Sequence, residues 1–243
     1  MGVCPPSRIR TMSGQESRAS GGARQPLEDG RLDSRIVAEV LAALAYGEQR
    51  GARRSQQSVG LAPDGRSKTE QQAVADRERR NWELIEARFR ELGDETLTDL
   101  FRPYFDAFFE HTEPSDWVEA QTFHYVGDAL VSDFADALVP LLDRVSAEVV
   151  GRALGDREAQ ETFALDELTR AMESDPGVKE RIRHYAQIVV GEAFTQTGRA
   201  LEATRGLRAL LGGDEAGKRF ILSLLGRHRH RLDRLGIEPV EPD

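Results

Sequence analysis

Residues 36–48 read Ile-Val-Ala-Glu-Val-Leu-Ala-Ala-Leu-Ala-Tyr-Gly-Glu. Ile36, Val37, Val40, Leu41 and Leu44 recur at helical spacing, which predicts an amphipathic helix over about 33–57. Glu48 falls on the same stripe one turn after Leu44, so a carboxylate sits where the pattern calls for core. A buried carboxylate is costly unless it is paired, protonated or bound to a metal. One such residue is ordinarily a hydrogen-bonded core acid.

The pattern recurs along the chain. A turn with Gly60, Pro63 and Gly65 precedes a helix at about 69–93, where Val74, Ile85 and Leu92 share a face with Glu78 and Asn81 and Gly93 marks the end. An aromatic segment, 95–111, reads as a connection crossing the bundle. Ser115 is the expected N-cap of a third long helix, with Asp116 and Glu119 in its positive first turn. Its stripe runs Trp117, Gln121, Tyr125, Asp128, Val131, Ala135, Leu138. A fourth helix is read as continuous over about 143–173, with Val145, Val149, Ala153, Arg157, Gln160, Ala164 and Leu168 on one face until Asp175-Pro176-Gly177 stops it. Two more helices follow, at about 178–210 and 214–235. No alternating strand-like run of useful length occurs, so the expected fold class is all-α: a four-helix bundle with two additional C-terminal helices.

Antiparallel helices of similar length bring their midpoints to one level. Glu48, Glu78 with Asn81, Asp128, and Arg157 with Gln160 are therefore expected to meet in one core layer. A carboxylate-bridged dimetal bundle places one Glu on each of two helices and Glu-x-x-His on each of the other two. Here Asn81 and Arg157/Gln160 stand where those patterns call for histidine and acid-x-x-His. Amide oxygens are weaker ligands for iron than imidazole nitrogen, whereas a guanidinium can hold carboxylates through paired hydrogen bonds. Arg157 is thus read as a substitute cation and the midpoint as a salt-bridged core without a cofactor. His124, four residues before Asp128 and nearly on its face, offers a replacement nitrogen, and with it the other reading is two iron or manganese ions held by Glu48, Glu78, Asp128 and His124. An ordinary core-flanking histidine is the plainer account of His124. Glu192 stands between a supporting partner of the site and an ordinary buried acid, and His111 and His184 show no ligand spacing.

Composition bounds the remaining classes. The chain has 243 residues, is 39% hydrophobic and carries a net charge of -9, enough for one sizeable core and unlike a surface built to neutralise phosphates. Arg227-His228-Arg229-His230-Arg231 with Arg234 forms a local basic cap; it is weak evidence for RNA, because a helix C-terminus accounts for it. Cys4 is the sole cysteine, so there is no internal disulfide and no thiolate cage, in keeping with a cytoplasmic setting. No run approaches a membrane span. Gly2 is a poor myristoylation site because Pro6 replaces the expected Ser or Thr, and Met12 competes with Met1 as the natural start. Residues 1–32 are read as a disordered tail, 33–238 as one helical domain and 239–243 as a C-terminal tail.

Ala45-Tyr46-Gly47-Glu48, Pro114-Ser115-Asp116-Trp117, Tyr125-Val126-Gly127-Asp128 and Val190-Gly191-Glu192-Ala193 carry a resemblance. Over roughly residues 35–238 the chain resembles an actinobacterial branch of ferritin-like proteins related to the tRNA 2-methylthio-N6-isopentenyladenosine hydroxylase (MiaE-like). The resemblance implies a six-helix ferritin-like fold whose nonhaem dimetal site activates dioxygen to hydroxylate a prenyl group on a tRNA adenosine. Glu48, Glu78 and Asp128 match the family's carboxylates. Asn81 stands at the second-helix histidine, and Arg157-Glu158-Ala159-Gln160 aligns with the acid-x-x-His of the fourth helix. The expectation is therefore a ferritin-like binding or scaffold protein, a pseudoenzyme with a degenerate metal site that associates with itself through helix faces; the alternative is an atypical dimetal oxygenase acting on tRNA.

Overall fold

The structure is a computed structural model that describes residues 34–155, 157–204 and 214–237. The expectations for the N-terminal tail, Cys4, the start site and the C-terminal tail lie outside these residues. Eight α-helices occur among them: α1 (Ser34–Ser58), α2 (Gly65–Glu91), α3 (Thr98–His111), α4 (Trp117–Leu138), α5 (Arg144–Leu154), α6 (Glu158–Ser174), α7 (Val178–Ala203) and α8 (Asp214–Arg234). No described residue lies in a strand, so the class is all-α, as the periodicity requires.

Short-range chemistry sets the helix ends. Asp64 caps α2 by accepting from the Ser67 amide, so this helix starts earlier than the Gly/Pro pattern suggests. Gly93, at φ +85°, terminates the same segment in a backbone region that glycine enters without a Cβ penalty. The expected cap Ser115 gives way to Asp116, whose carboxylate accepts from the Glu119 amide, while the Glu119 side chain accepts from the Ser115 backbone and hydroxyl. The pair resembles a capping box, with the Glu119 side chain reaching the residue before the N-cap instead of the N-cap itself.

Helices α1 and α2 form a hairpin; α3 crosses from it to pack on α7; α4 packs on α6 and α7; and α5 packs on α2. One apolar cluster joins α1, the C-terminal half of α2, the start of α3, the end of α4 and α5. A second joins α3, α4, α6, α7 and α8. The polar midpoint lies between them. Almost every residue from Ala120 to Leu130 of α4 is buried, which is why its polar members cannot be left unpaired.

The continuous fourth helix is corrected. The helical path stops at Leu154 and resumes at Glu158. Gly155 is exposed and a Cβ there would meet the Gly151 carbonyl at 2.5 Å, a backbone clash that glycine avoids. Arg157 is consequently the N-cap residue of α6, and its side chain enters the bundle from a break instead of from a helical stripe. The expected basic cap on α8 folds inward: Arg227 and Arg231 hold Asp133 at 3.0 and 2.7 Å, and Arg234 holds Glu161 at 2.5 Å.

Candidate metal centre

Glu48 comes from α1, Glu78 from α2, Asp128 and His124 from α4, Arg157 from the α5–α6 break and Gln160 from the first turn of α6. The structure brings these six together. Arg157 donates to Glu48 Oε1 at 2.5 Å and reaches the Asp128 carbonyl at 3.4 Å. The Gln160 amide nitrogen donates to Glu78 Oε1 at 2.5 Å and to Asp128 Oδ2 at 2.8 Å. His124 Nδ1 lies 2.8 Å from Asp128 Oδ2, and its Nε2 lies 3.1 Å from Ser58 Oγ. Asn81 is half-buried and joins none of these hydrogen bonds, so it is not part of the assembled cluster. Glu192 is placed elsewhere as well, bonded to His111 and Gln196.

The protonation of His124 follows from its partners. Ser58 directs its hydroxyl hydrogen to the Arg54 carbonyl at 3.0 Å, which leaves its oxygen as an acceptor for His124 Nε2. Asp128 accepts at Nδ1. Nδ1 thus donates to Asp128, while Nε2 faces the Ser58 hydroxyl and also the Gln71 amide nitrogen, itself a donor, at 3.4 Å, so its contacts suit either role. Burial opposes that charge, but the Asp128 carboxylate outweighs it, with Glu78 adding to the effect, and the His124 pKa is raised.

The acids respond to the same crowding. Burial pushes Glu48 up, and Asp128 adds to this while Arg157 pulls it back. Burial, then the charge of Asp128, raises Glu78 to about 7, against the opposing pull of His124, Ser55 and Arg157. Arg157 is held firmly charged, because Glu48, Asp128 and Glu78 together outweigh its burial. Three carboxylates thus face two cations, and the remaining charge is removable by one proton on Glu78.

Sequence reading missed the residues that complete the network. Ser55 donates to Glu78 Oε2 at 2.5 Å; Gln121 donates to Gln71 at 2.9 Å; the Gln71 amide lies 3.4 Å from His124. The polar runs Arg54-Ser55 and Gln71-Gln72 look like surface in the sequence.

Two recesses flank the cluster. On one side an apolar recess of about 140 Å³ lies among α1, α3, α4 and α7, and a separate space of about 20 Å³ lies at Glu48, Glu78, Asp128 and Arg157. On the other, a polar recess of about 360 Å³, bounded by Asp133, Glu161, Arg231 and Arg234, also reaches Arg157, whose side chain is 14% exposed.

A metal fits this donor set poorly as the residues are arranged. An imidazolium has no lone pair to give, Arg157 is seated on Glu48, and an amide N–H instead of an oxygen faces both Glu78 and Asp128. Glu78, His124 and Asp128 nevertheless each offer a ligand atom within 4.8 Å of one another, so a mononuclear set would form were His124 deprotonated.

The family model for the ferritin-like domain of actinomycetes matches residues 31–214, and the chain belongs to that family. Comparison with curated proteins finds no match. Among solved structures, the chain is similar to "Protein 19 with aldehyde deformylating oxidase activity from Synechococcus", with a TM-score of 0.67, 20% identity, 86% of this chain and 96% of that one covered. At that identity the likeness shows the shared ferritin-like fold. No described helix is long and apolar enough to cross a membrane.

Proposed function

We propose that this chain is a ferritin-like binding protein whose dimetal chemistry has been replaced by a metal-free, charge-compensated core, acting in the cytoplasm. The observation that carries the reading is Arg157 seated 2.5 Å from Glu48, where a dimetal bundle would use a cation of another kind to neutralise its carboxylates. His124, whose pKa is raised against its burial by the Asp128 carboxylate, supplies the second positive charge. Arg157 and Gln160 present N–H groups to the centre, where a metal would need lone pairs. What remains is a rigid bundle with a recess on either side of a neutralised centre.

The test is metal content. Protein purified from iron-supplemented cells should hold far less than stoichiometric iron, and Arg157→Glu with Gln160→His, both at the assembled cluster, should raise it. Stoichiometric iron or manganese in the parent would overturn the reading.

A second reading is favoured by the closeness of Glu78, His124 and Asp128: an atypical dimetal oxygenase that uses these with Glu48. The Synechococcus protein, described as an aldehyde deformylating oxidase, and the hydroxylase resemblance both lie on this side. It requires Arg157 to leave Glu48 and His124 to lose a proton. The metal content that sinks the first reading is the result this one needs.

A further inference from the structure

The C-terminal half of α8 carries a surplus of positive charge that the bundle does not use. One face of that helix lines an open recess of about 580 Å³ with Arg227, His230, Arg231 and Arg234, at spacings of three and four residues, and Asp133 and Glu161 face them. Arg231 gives its fork to both Asp133 oxygens, at 2.7 and 3.1 Å. Arg227 and Arg234 each commit one nitrogen, to Asp133 at 3.0 Å and to Glu161 at 2.5 Å, and remain 53% and 41% exposed. Three guanidiniums thus meet two carboxylates. The N–H groups left over on Arg227 and Arg234 suit a further anionic oxygen.

The sequence supplies one nearby. Residues 238–243 read Glu-Pro-Val-Glu-Pro-Asp and lie beyond the described residues. Ile237, just before them, is 1% exposed; its amide donates to the Leu232 carbonyl, and the amide of Gly236, at φ +64°, donates to that of Asp233. These two bonds make a Schellman turn, so the acidic segment leaves α8 from a point anchored in the core. Arg227 and Arg234 are seven residues apart, about 10.5 Å along the helix. Glu238 and Glu241 are three apart, one turn of a polyproline helix and about 9.3 Å, and the proline after each disfavours α-helix there. Two glutamates on one face of an extended strap therefore match the spacing of the two arginines. At that rise six residues reach about 19 Å, more than the ~15 Å along the helix axis between Ile237 and Arg227. A tethered segment also presents its charge at an effective concentration on the order of millimolar, whereas a free polyanion is repelled by a chain of net charge -9.

We propose that residues 238–243 fold back along α8 as an extended strap, with Glu238 at Arg234 and Glu241 at Arg227, so that the chain occupies its own anion-binding recess. Free anions then reach the recess only by displacing the strap. Its contacts join half-exposed groups, so they order the strap while adding little to global stability, and salt weakens them. This goes beyond the binding-protein reading and holds whatever the metal content of the midpoint.

Heteronuclear NOE measurements on the backbone amides of the full 15N-labelled chain test it. In low salt the amides of Glu238, Val240, Glu241 and Asp243 should match those of α8, and in about 0.5 M salt, where the Debye length is about 4 Å, they should fall to the values of a free chain. Arg227→Ala and Glu241→Gln, both substitutions of exposed groups, should each release the strap in low salt. Val240→Glu combined with Glu241→Gln keeps the net charge, moves one acid off the matching face and should release it equally. Inorganic tripolyphosphate should bind the Glu238→Gln/Glu241→Gln variant at least about threefold tighter than the parent, the gain expected from removing two weak surface pairs. Strap amides that are mobile in low salt overturn the proposal. Rigidity that survives Arg227→Ala or the off-face variant overturns the pairing, and equal tripolyphosphate affinity in parent and double variant overturns occupation of the recess. Rigidity lost on dilution assigns the recess to the strap of a second copy and overturns the fold-back within one chain.

Discussion

Two buried acids on two sides of one bundle have opposite surroundings. Glu167, on α6, receives Arg66 at 3.0 Å and Arg170 at 2.7 Å on one oxygen, and Ser67 at 2.9 Å and the Trp117 indole at 3.0 Å on the other. Each of those two arginines keeps about half its side chain in solvent, at 55% and 45% exposed. Glu78, equally buried, has only Ser55 and Gln160 as donors and faces another carboxylate. Burial of an acid is therefore no sign of a functional centre by itself. The ratio of donors to carboxylates is: one acid with four donors pins helices together, while three acids sharing two cations form a centre that must trade protons or cations.

Deleting the cation of the crowded region should do the greatest damage. Arg157→Ala should destabilise by about 3–5 kcal/mol near pH 8, the usual cost of removing one partner from a buried ion network, and Arg157→Met should recover little because packing is not what is lost. The deficit should narrow as the pH falls, since Glu48 and Glu78 then take up protons. For the parent the sign is fixed by linkage: both acids are raised above 4.5, so the folded chain binds more protons than the unfolded one between about pH 4.5 and 7, and stability falls as the pH rises through that window. His124 adds the same sign, its contribution complete below about 6.5 and lost as the pH rises through its higher folded value. Below about pH 4, acids held low, such as Asp143, reverse the slope. Melting temperatures from pH 5 to 8 should therefore decline with pH in the parent and flatten in Glu78→Gln. A parent that melts later at pH 8 than at pH 6 would contradict the charge count at the midpoint, and Arg157 mutants that melt like the parent would remove the arginine from it.

The well-satisfied region should be milder and differently coloured. Glu167→Ala should cost about 1–3 kcal/mol, because Ser67 and Trp117 lose their acceptor while the arginines turn to water, and the melting deficit should be the same at pH 6 and pH 8. A pH-dependent deficit there would erase the contrast between the two acids. Gly155→Ala should cost about 2–3 kcal/mol, the upper part of the overpacking range because the clash is with backbone, and should carry part of the Arg157 pH signature because it displaces the break that aims the arginine. Arg227→Ala should cost only about 0–1 kcal/mol, since that arginine is half exposed and Arg231 still holds Asp133; a larger loss in chemical denaturation would show that the basic cap does more than neutralise one acid.

Most of the architecture was legible because a 3.6-residue apolar period survives any detail of packing. The meeting of Glu48, Glu78 and Asp128 was legible for the same reason: each lies mid-stripe, and antiparallel helices align their midpoints. Asn81 misled because position i+3 shares a face with Glu78 only approximately, and the actual rotation of α2 leaves it half-buried at the margin. The α5–α6 break was invisible because three- and four-residue spacing links Val149 and Ala153 through Arg157 and Gln160 to Ala164 and Leu168, and the local cue, Gly155, is tolerated in many helices. Ser55, Ser58 and Gln71 escaped since polar side chains add nothing to an apolar period; their roles depend on which partner lies opposite.

The interruption between Leu154 and Glu158 also changes how this protein can tolerate insertions and deletions. In an unbroken helix each added residue turns everything beyond it by about 100° and swings an inward side chain toward solvent. At a non-helical joint the extra length is absorbed locally, and α6, anchored by Glu167 to α2 and α4, keeps its face to the bundle. The joint is therefore where the chain can lengthen by a residue and still fold, while the side chain delivered to the midpoint changes identity. A different side chain can be delivered to the midpoint there without redesigning a helix.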